Sequence, residues 1–195
     1  MASGWGIVGG LIAGLVVIVL SARNWPGTWP ILVRVLAVAH VAVVAELALF
    51  PLPVDAALIA DLRAHSTGVD LVALNVNLVP WATIGPSIHR LFTERYDTQE
   101  VRNLLGNFAL LMPLAFYGPI LWPRLRNLFW FVATAVAFSV TIELLQLAIT
   151  LNLGYSHATD IDDVIVNAGG ALVAFIVLWP LRRGSTTAAP MPRRA

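Results

Sequence analysis

"TDIDDVIVNAGGALVAFIVLWPLRR" runs from Thr159 to Arg183. Asp160, Asp162, Asp163 and Asn167 crowd its start, an apolar run fills its middle, and Arg182 and Arg183 close it. A helix needs roughly 20 apolar residues to cross the hydrocarbon of a bilayer. The part from about Asp163 to Leu181 meets that length. Acids at its amino end and arginines at its carboxyl end also suit the helix macrodipole. The stretch therefore reads as a transmembrane helix that carries its carboxylates at one membrane face.

The rest of the chain fits that reading. Of its 195 residues 58% are hydrophobic and 12% charged, and the mean hydropathy is +0.81. A soluble domain carries about 25% charged residues. The expected fold class is all-α, a polytopic integral membrane protein of about five transmembrane helices. The spans are read at about 5–20, 29–50, 103–121, 128–151 and 163–181. The first has no basic region before it and no evident cleavage site after it, so it is kept as a span rather than a secretion signal. Residues 1–183 read as one membrane domain and 184–195 as a disordered cytoplasmic tail. Between the second and third spans, residues 51–102 read as an interfacial or re-entrant segment. It is broken by Pro80 and Pro86 and anchored by Trp81. There is no cysteine, which removes disulfides, thiolate nucleophiles and thiol metal sites.

The charges are sorted by side. With five spans, Arg23, Arg124, Arg126, Arg182, Arg183, Arg193 and Arg194 share one face, which holds no acid. The other face holds Asp160, Asp162 and Asp163 and the mixed segment, where six acids exceed four arginines. Short loops rich in arginine stay in the cytoplasm. The expectation is a bacterial cytoplasmic-membrane protein with its amino terminus out and its carboxyl terminus in. The scattered basic residues serve topology, so no nucleic-acid partner is expected.

Polar residues then line up by helical spacing. Asn103, Gly106 and Asn107 share a face of the third span. Ser139, Glu143, Gln146 and Thr150 form one stripe on the fourth. Asp160, Asp163, Asn167 and Gly170 form another on the fifth, with Asp162 pointing the opposite way. Glu143 lies roughly 12 Å below the outer end of its span, at 1.5 Å per residue. A charged side chain at mid-bilayer costs about 2.5–3.5 kcal/mol on the insertion scale. Several such groups in lipid are not credible, so they are expected to face one another in a polar chamber opening outward. The small residues Ala168–Ala171 let helices approach closely.

Plainer roles compete with this. Thr159 and Asp162 have the spacing of a capping box. Asn103 and Asn167 suit interhelical hydrogen bonds. Arg34 and Glu46 sit near span ends, where long polar side chains snorkel. His40 suits helix packing. Glu143 and Asp163 are costly as mere fasteners.

"NVNLVPWATI", "NLLGNFALLMPLAF", "IELLQL" and "DIDDVIVNAGGALV", in that order, resemble the landmarks of the VanZ-like family over about Asn75 to Val173. The resemblance implies family positions at Asn75, Pro80, Asn103, Gly106, Asn107, Pro113, Glu143, Gln146, Asp160, Asp163, Asn167 and Gly170. It also implies one departure. His157 stands where family members often carry arginine, which makes the site more acidic or sensitive to pH through the histidine. The family looks like bacterial envelope proteins whose namesake is linked to resistance to the glycopeptide teicoplanin.

Three functions follow as expectations. The first is a non-catalytic envelope protein binding a membrane lipid, a lipidated glycopeptide or a cell-wall precursor. Its site would comprise Asn75, Asn103, Asn107, Glu143, Gln146, His157, Asp160, Asp163 and Asn167, with no cofactor. The second is an intramembrane enzyme acting on an envelope lipid, with Glu143 as general base and Mg²⁺ or Ca²⁺ held by oxygens. The third is a proton-coupled transporter using Glu143 and Asp163. Bareness of the inner half counts against it.

Overall fold

The computed structural model of the chain describes residues 28–49, 56–64, 76–93, 99–153 and 159–183. The expected first span, Asn75, His157 and the tail lie outside the described residues. The helices are α1 (Thr28–Leu49), α2 (Ala56–Ala64), α3 (Ile84–Thr93), α4 (Gln99–Leu110), α5 (Leu114–Leu121), α6 (Leu128–Leu153) and α7 (Ile161–Arg183). Two residue pairs, β1 (Val76–Asn77) and β2 (Thr159–Asp160), complete the order with a 3₁₀ turn at Pro123–Arg126. Ile31–Leu49, Gln99–Leu121, Leu128–Leu153 and Ile161–Pro180 are each long and apolar enough to cross a membrane. The protein is an all-α, multi-pass membrane protein, and these four helices match the second to fifth spans read from the sequence.

The third span is two helices in line. Pro113 has no backbone N–H, so the ladder tightens around it. Met112 N donates to Ala109 O and Leu114 N to Leu111 O, at 3.2 and 3.1 Å. With Leu114 N turned to Leu111, the Leu110 carbonyl is left to His40 of α1, whose Nε2 donates to it at 2.7 Å. That bond fixes the tautomer. Nδ1 then accepts from the Tyr117 hydroxyl at 2.9 Å. His40 is thus a packing histidine with both nitrogens engaged, and it seals the break in the third span. α6 starts cleanly because Asn127 caps it: Oδ1 accepts from Phe129 N at 2.9 Å and Trp130 N at 3.4 Å.

α7 packs on α4, α5 and α6, while α1 packs on α5 and α6. Gly170 decides the α4–α7 crossing. A Cβ there would overlap the Phe108 carbonyl oxygen and stand 2.7 Å from its carbon. No side chain fits at that position without parting the helices. Toward the arginine-bearing end, Val33, Ala37, Leu111, Leu114, Tyr117, Phe131, Ala135, Ala171 and Phe175 form a continuous apolar core. The Phe131 and Phe175 rings lie 4.4 Å apart. Polar side chains occupy the opposite end.

Between α1 and α4 the described residues include two short helices and a strand. β1 pairs in parallel with β2, placing Val76 beside Thr159 and Asn77 beside Asp160. The strands are too short for any sequence periodicity to betray them. The turn after β1 puts Pro80 and Trp81 at its corner. Ala82 N returns to Val79 O at 3.4 Å, and Trp81 has φ of 69°. That region costs a bulky residue energy, and glycine is the usual occupant. Leu78, Val79 and Trp81 stay exposed around this corner.

Candidate ligand-binding site

The site grows from the two stripes on α6 and α7. Ser139, Glu143 and Thr150 of α6 are buried, as are Asp160, Asp162 and Asn167 at and beyond the start of α7. Asn167 Nδ2 donates to Ser139 Oγ at 2.8 Å. One turn further along α6, Asp160 N donates to Glu143 Oε2 at 2.9 Å. Asn107 of α4 donates a side-chain hydrogen bond to Asp163. Residues from three spans, Asn107, Glu143 and Asp163, therefore lie together at one end of the bundle. Glu143 also feels the charges of Asp163 and Asp160.

Asp160 is the hub. Its Oδ1 accepts from Asp162 N at 2.9 Å and from Asn77 Nδ2 at 3.0 Å. The first bond makes Asp160 the cap of α7. Capping by Thr159 through a box with Asp162 is not what forms, because Thr159 belongs to β2 and its hydroxyl points toward Glu143 O, 3.5 Å away.

Asp162 caps a different helix. Its carboxylate accepts from Trp81 N at 2.6 Å, Thr83 N at 2.8 Å, Thr83 Oγ1 at 2.8 Å and Ile84 N at 3.1 Å. These are donors of the Pro80–Trp81 corner and of the opening of α3, which have no helical acceptor of their own. The expectation that Asp162 points away from the α7 stripe holds, and its target is the loop between the second and third spans. A carboxylate 1% exposed is tolerable because four donors satisfy it. It also holds Trp81 at its strained φ.

Some expected site residues stand apart. Gln146 donates through Nε2 to Ala48 O of α1 at 2.9 Å, so it ties α6 to α1. Asn103 is exposed and accepts from Gln99 Nε2 at 2.7 Å, within the first turn of α4. Asn75 and His157 fall outside the described residues. Asn77, Thr83 and the backbone of Trp81 are participants that helical spacing alone does not reveal. The paired asparagines of "NVN" and the Val-Pro-Trp corner are the only traces of them in the sequence.

The cluster is acceptor-rich. Glu143, Asp162 and Asp163 are set among other acids, side-chain amides and backbone N–H groups, while Arg90 pairs with Glu100. Among the described residues no three acidic or histidine side chains are grouped as a metal ion would need. Among the described residues Asn167 Oδ1, on the floor of the cluster, is buried without a donor, as are Gln146 Oε1 and Glu46 Oε2 outside it. Such a set suits a donor-bearing ligand better than an anion.

A family model described as VanZ/LLP1 matches residues 37–183. No curated protein and no solved structure matches the chain. The matched region takes in α4, α6, α7 and every residue of the acid–amide cluster, and the chain belongs to the VanZ/LLP1 family.

Proposed function

We propose that the protein binds an amphiphile of the bacterial envelope, either a membrane lipid or a lipidated glycopeptide, at the acid–amide end of the bundle. The observation that carries this is the meeting of Asn107, Glu143, Asp160, Asp163 and Asn167 from separate spans at that end. Buried carboxylates are costly in a membrane, and ionisable groups kept there are the usual mark of a functional site. Carboxylate and amide oxygens bond hydroxyls, amines and sugars, while the apolar flanks of the helices take an acyl chain. The arginine distribution supports placing this end at the extracytoplasmic face and Arg124, Arg126 and Arg182 at the cytoplasmic one. Family membership supports an antibiotic-resistance setting, with teicoplanin the first glycopeptide to try.

The test uses Glu143→Gln and Asp163→Asn. Each is expected to lower retention of lipid by the purified protein and to lower survival of expressing cells on teicoplanin. Both variants matching the parent in both assays would overturn the reading. Consumption of a labelled envelope lipid by the parent, with product formed, would replace binding by catalysis.

A further inference from the structure

Resting on that reading, we infer that the ligand presents a primary ammonium to this site, from an aminophospholipid headgroup or from an amino sugar on an amphiphile. Each side-chain amide of the cluster already donates one hydrogen bond. Asn77 Nδ2 is held by Asp160, Asn107 by Asp163, and Asn167 Nδ2 by Ser139. The backbone N–H groups of Asp160 and Asp162 are committed too, to Glu143 and Asp160. Beside these bonds stand carboxyl oxygens that they leave unused. Glu143 uses only Oε2 and Asp160 only Oδ1 in these bonds.

An independent observation lies on the floor of the cluster. Asn167 is 1% exposed and its Oδ1 has no donor. Asn167 follows Asp163 by one turn of α7, and its partner Ser139 precedes Glu143 by one turn of α6. The amide therefore bridges the two helices directly beneath the carboxyls. A buried acceptor left unpaired is disfavoured, and an incoming donor relieves it.

The ligand's chemistry follows. A phosphate or carboxylate head would meet the grouped carboxyls of Glu143, Asp160 and Asp163, an unfavourable approach of like groups. A quaternary ammonium carries charge but no N–H and leaves the acceptors unpaired. An inner-sphere metal ion lacks a gathered ligand set among the described residues. A primary ammonium brings positive charge and three donors. Asn107, which donates to Asp163, is only half-buried.

Native mass spectrometry of the purified chain, released from detergent, tests this. Phosphatidylethanolamine, phosphatidylcholine and phosphatidylglycerol with identical acyl chains are compared, alongside dodecyl glucosaminide and dodecyl glucoside. Charge-assisted hydrogen bonds predict that the amine-bearing members of each set bind about tenfold tighter than the others. Asp163→Asn, checked for folding by thermal unfolding, is expected to erase most of that preference. Preference for phosphatidylethanolamine alone, or for the amino sugar alone, supports the inference and assigns the source. Equal binding of all headgroups, or stronger binding of phosphatidylglycerol, overturns the ammonium while leaving amphiphile binding intact. Binding of none of these amphiphiles overturns both.

Discussion

The two ends of the helix bundle are built on opposite principles. At the arginine-bearing end Phe131, Phe175, Leu111 and Ala171 interlock without a polar atom among their side chains. At the other end the same helices hold Glu143, Asp160, Asp162, Asp163 and Asn167, largely buried, together with a two-residue sheet and a strained turn. Lipid tails are as apolar as leucine, so the first end is held by close packing rather than by escape from water. The second end is held by hydrogen bonds, and Asn167 Oδ1 there remains unpaired. Close packing holds the first end without polar groups, so the unpaired acceptor at the second asks for a reason beyond stability.

The largest expected effect probes packing shared by both ends. Gly170→Ala drives a methyl into the Phe108 backbone, where no side chain is available to give way. A loss of about 4 kcal/mol, or failure to accumulate in the membrane, is expected by thermal unfolding and expression. Gly169→Ala is the control beside it, because a Cβ at Gly169 meets nothing within 4 Å. Equal tolerance of both substitutions would break the account of the α4–α7 crossing.

Next comes the clamp. Asp162→Ala strands the N–H groups of Trp81, Thr83 and Ile84. The expected cost is about 3 kcal/mol. A structural cap does no more than that. A clamp that also shapes the site predicts altered Trp81 emission and weaker ligand retention in folded protein. Trp81→Gly, which relieves the positive φ, is expected to recover part of the stability lost in Asp162→Ala.

How far the sequence discloses these two ends differs for physical reasons. Membrane spans are legible because a bilayer demands long apolar runs and internally satisfied backbones. The α6 and α7 stripes are legible because helical spacing fixes which residues share a face, as the Ser139–Asn167 bond bears out. Spacing fails where partners come from elsewhere in the chain. Gln146 belongs to the Glu143 stripe, yet the nearby Ala48 carbonyl of α1 claims it. Asp162 has the spacing of a local cap and instead serves a turn 79 residues earlier, at Thr83. The β1–β2 ladder is two residues long, too short to leave an alternation, and Trp81 occupies a φ that its residue type disguises.

A smaller effect is expected at the break in the third span. His40→Leu keeps the volume in α1 but leaves the Leu110 carbonyl without its 2.7 Å donor. The expected cost is about 2 kcal/mol. Tyr117→Phe removes only the hydroxyl on Nδ1 and should cost about 1 kcal/mol. Loss of lipid binding in either variant at full stability would mean that this polar spot, like the acid end, serves a ligand.

The smallest expected effect on stability separates the two ends most sharply. Asn167→Leu with Ser139→Ala removes both partners of a buried hydrogen bond together with the unpaired Oδ1. Replacing both partners by apolar groups of similar shape is nearly neutral. The double variant is therefore expected within about 1 kcal/mol of the parent, or slightly above it. If the pair were interhelical glue, unfolding would report a clear loss and ligand retention would fall only in proportion. If the pair is kept for a ligand, stability holds while preference for an amine-bearing amphiphile drops about tenfold, the worth of one donor to a buried acceptor. Measured side by side on one preparation, melting and retention assign Asn167 to packing or to recognition.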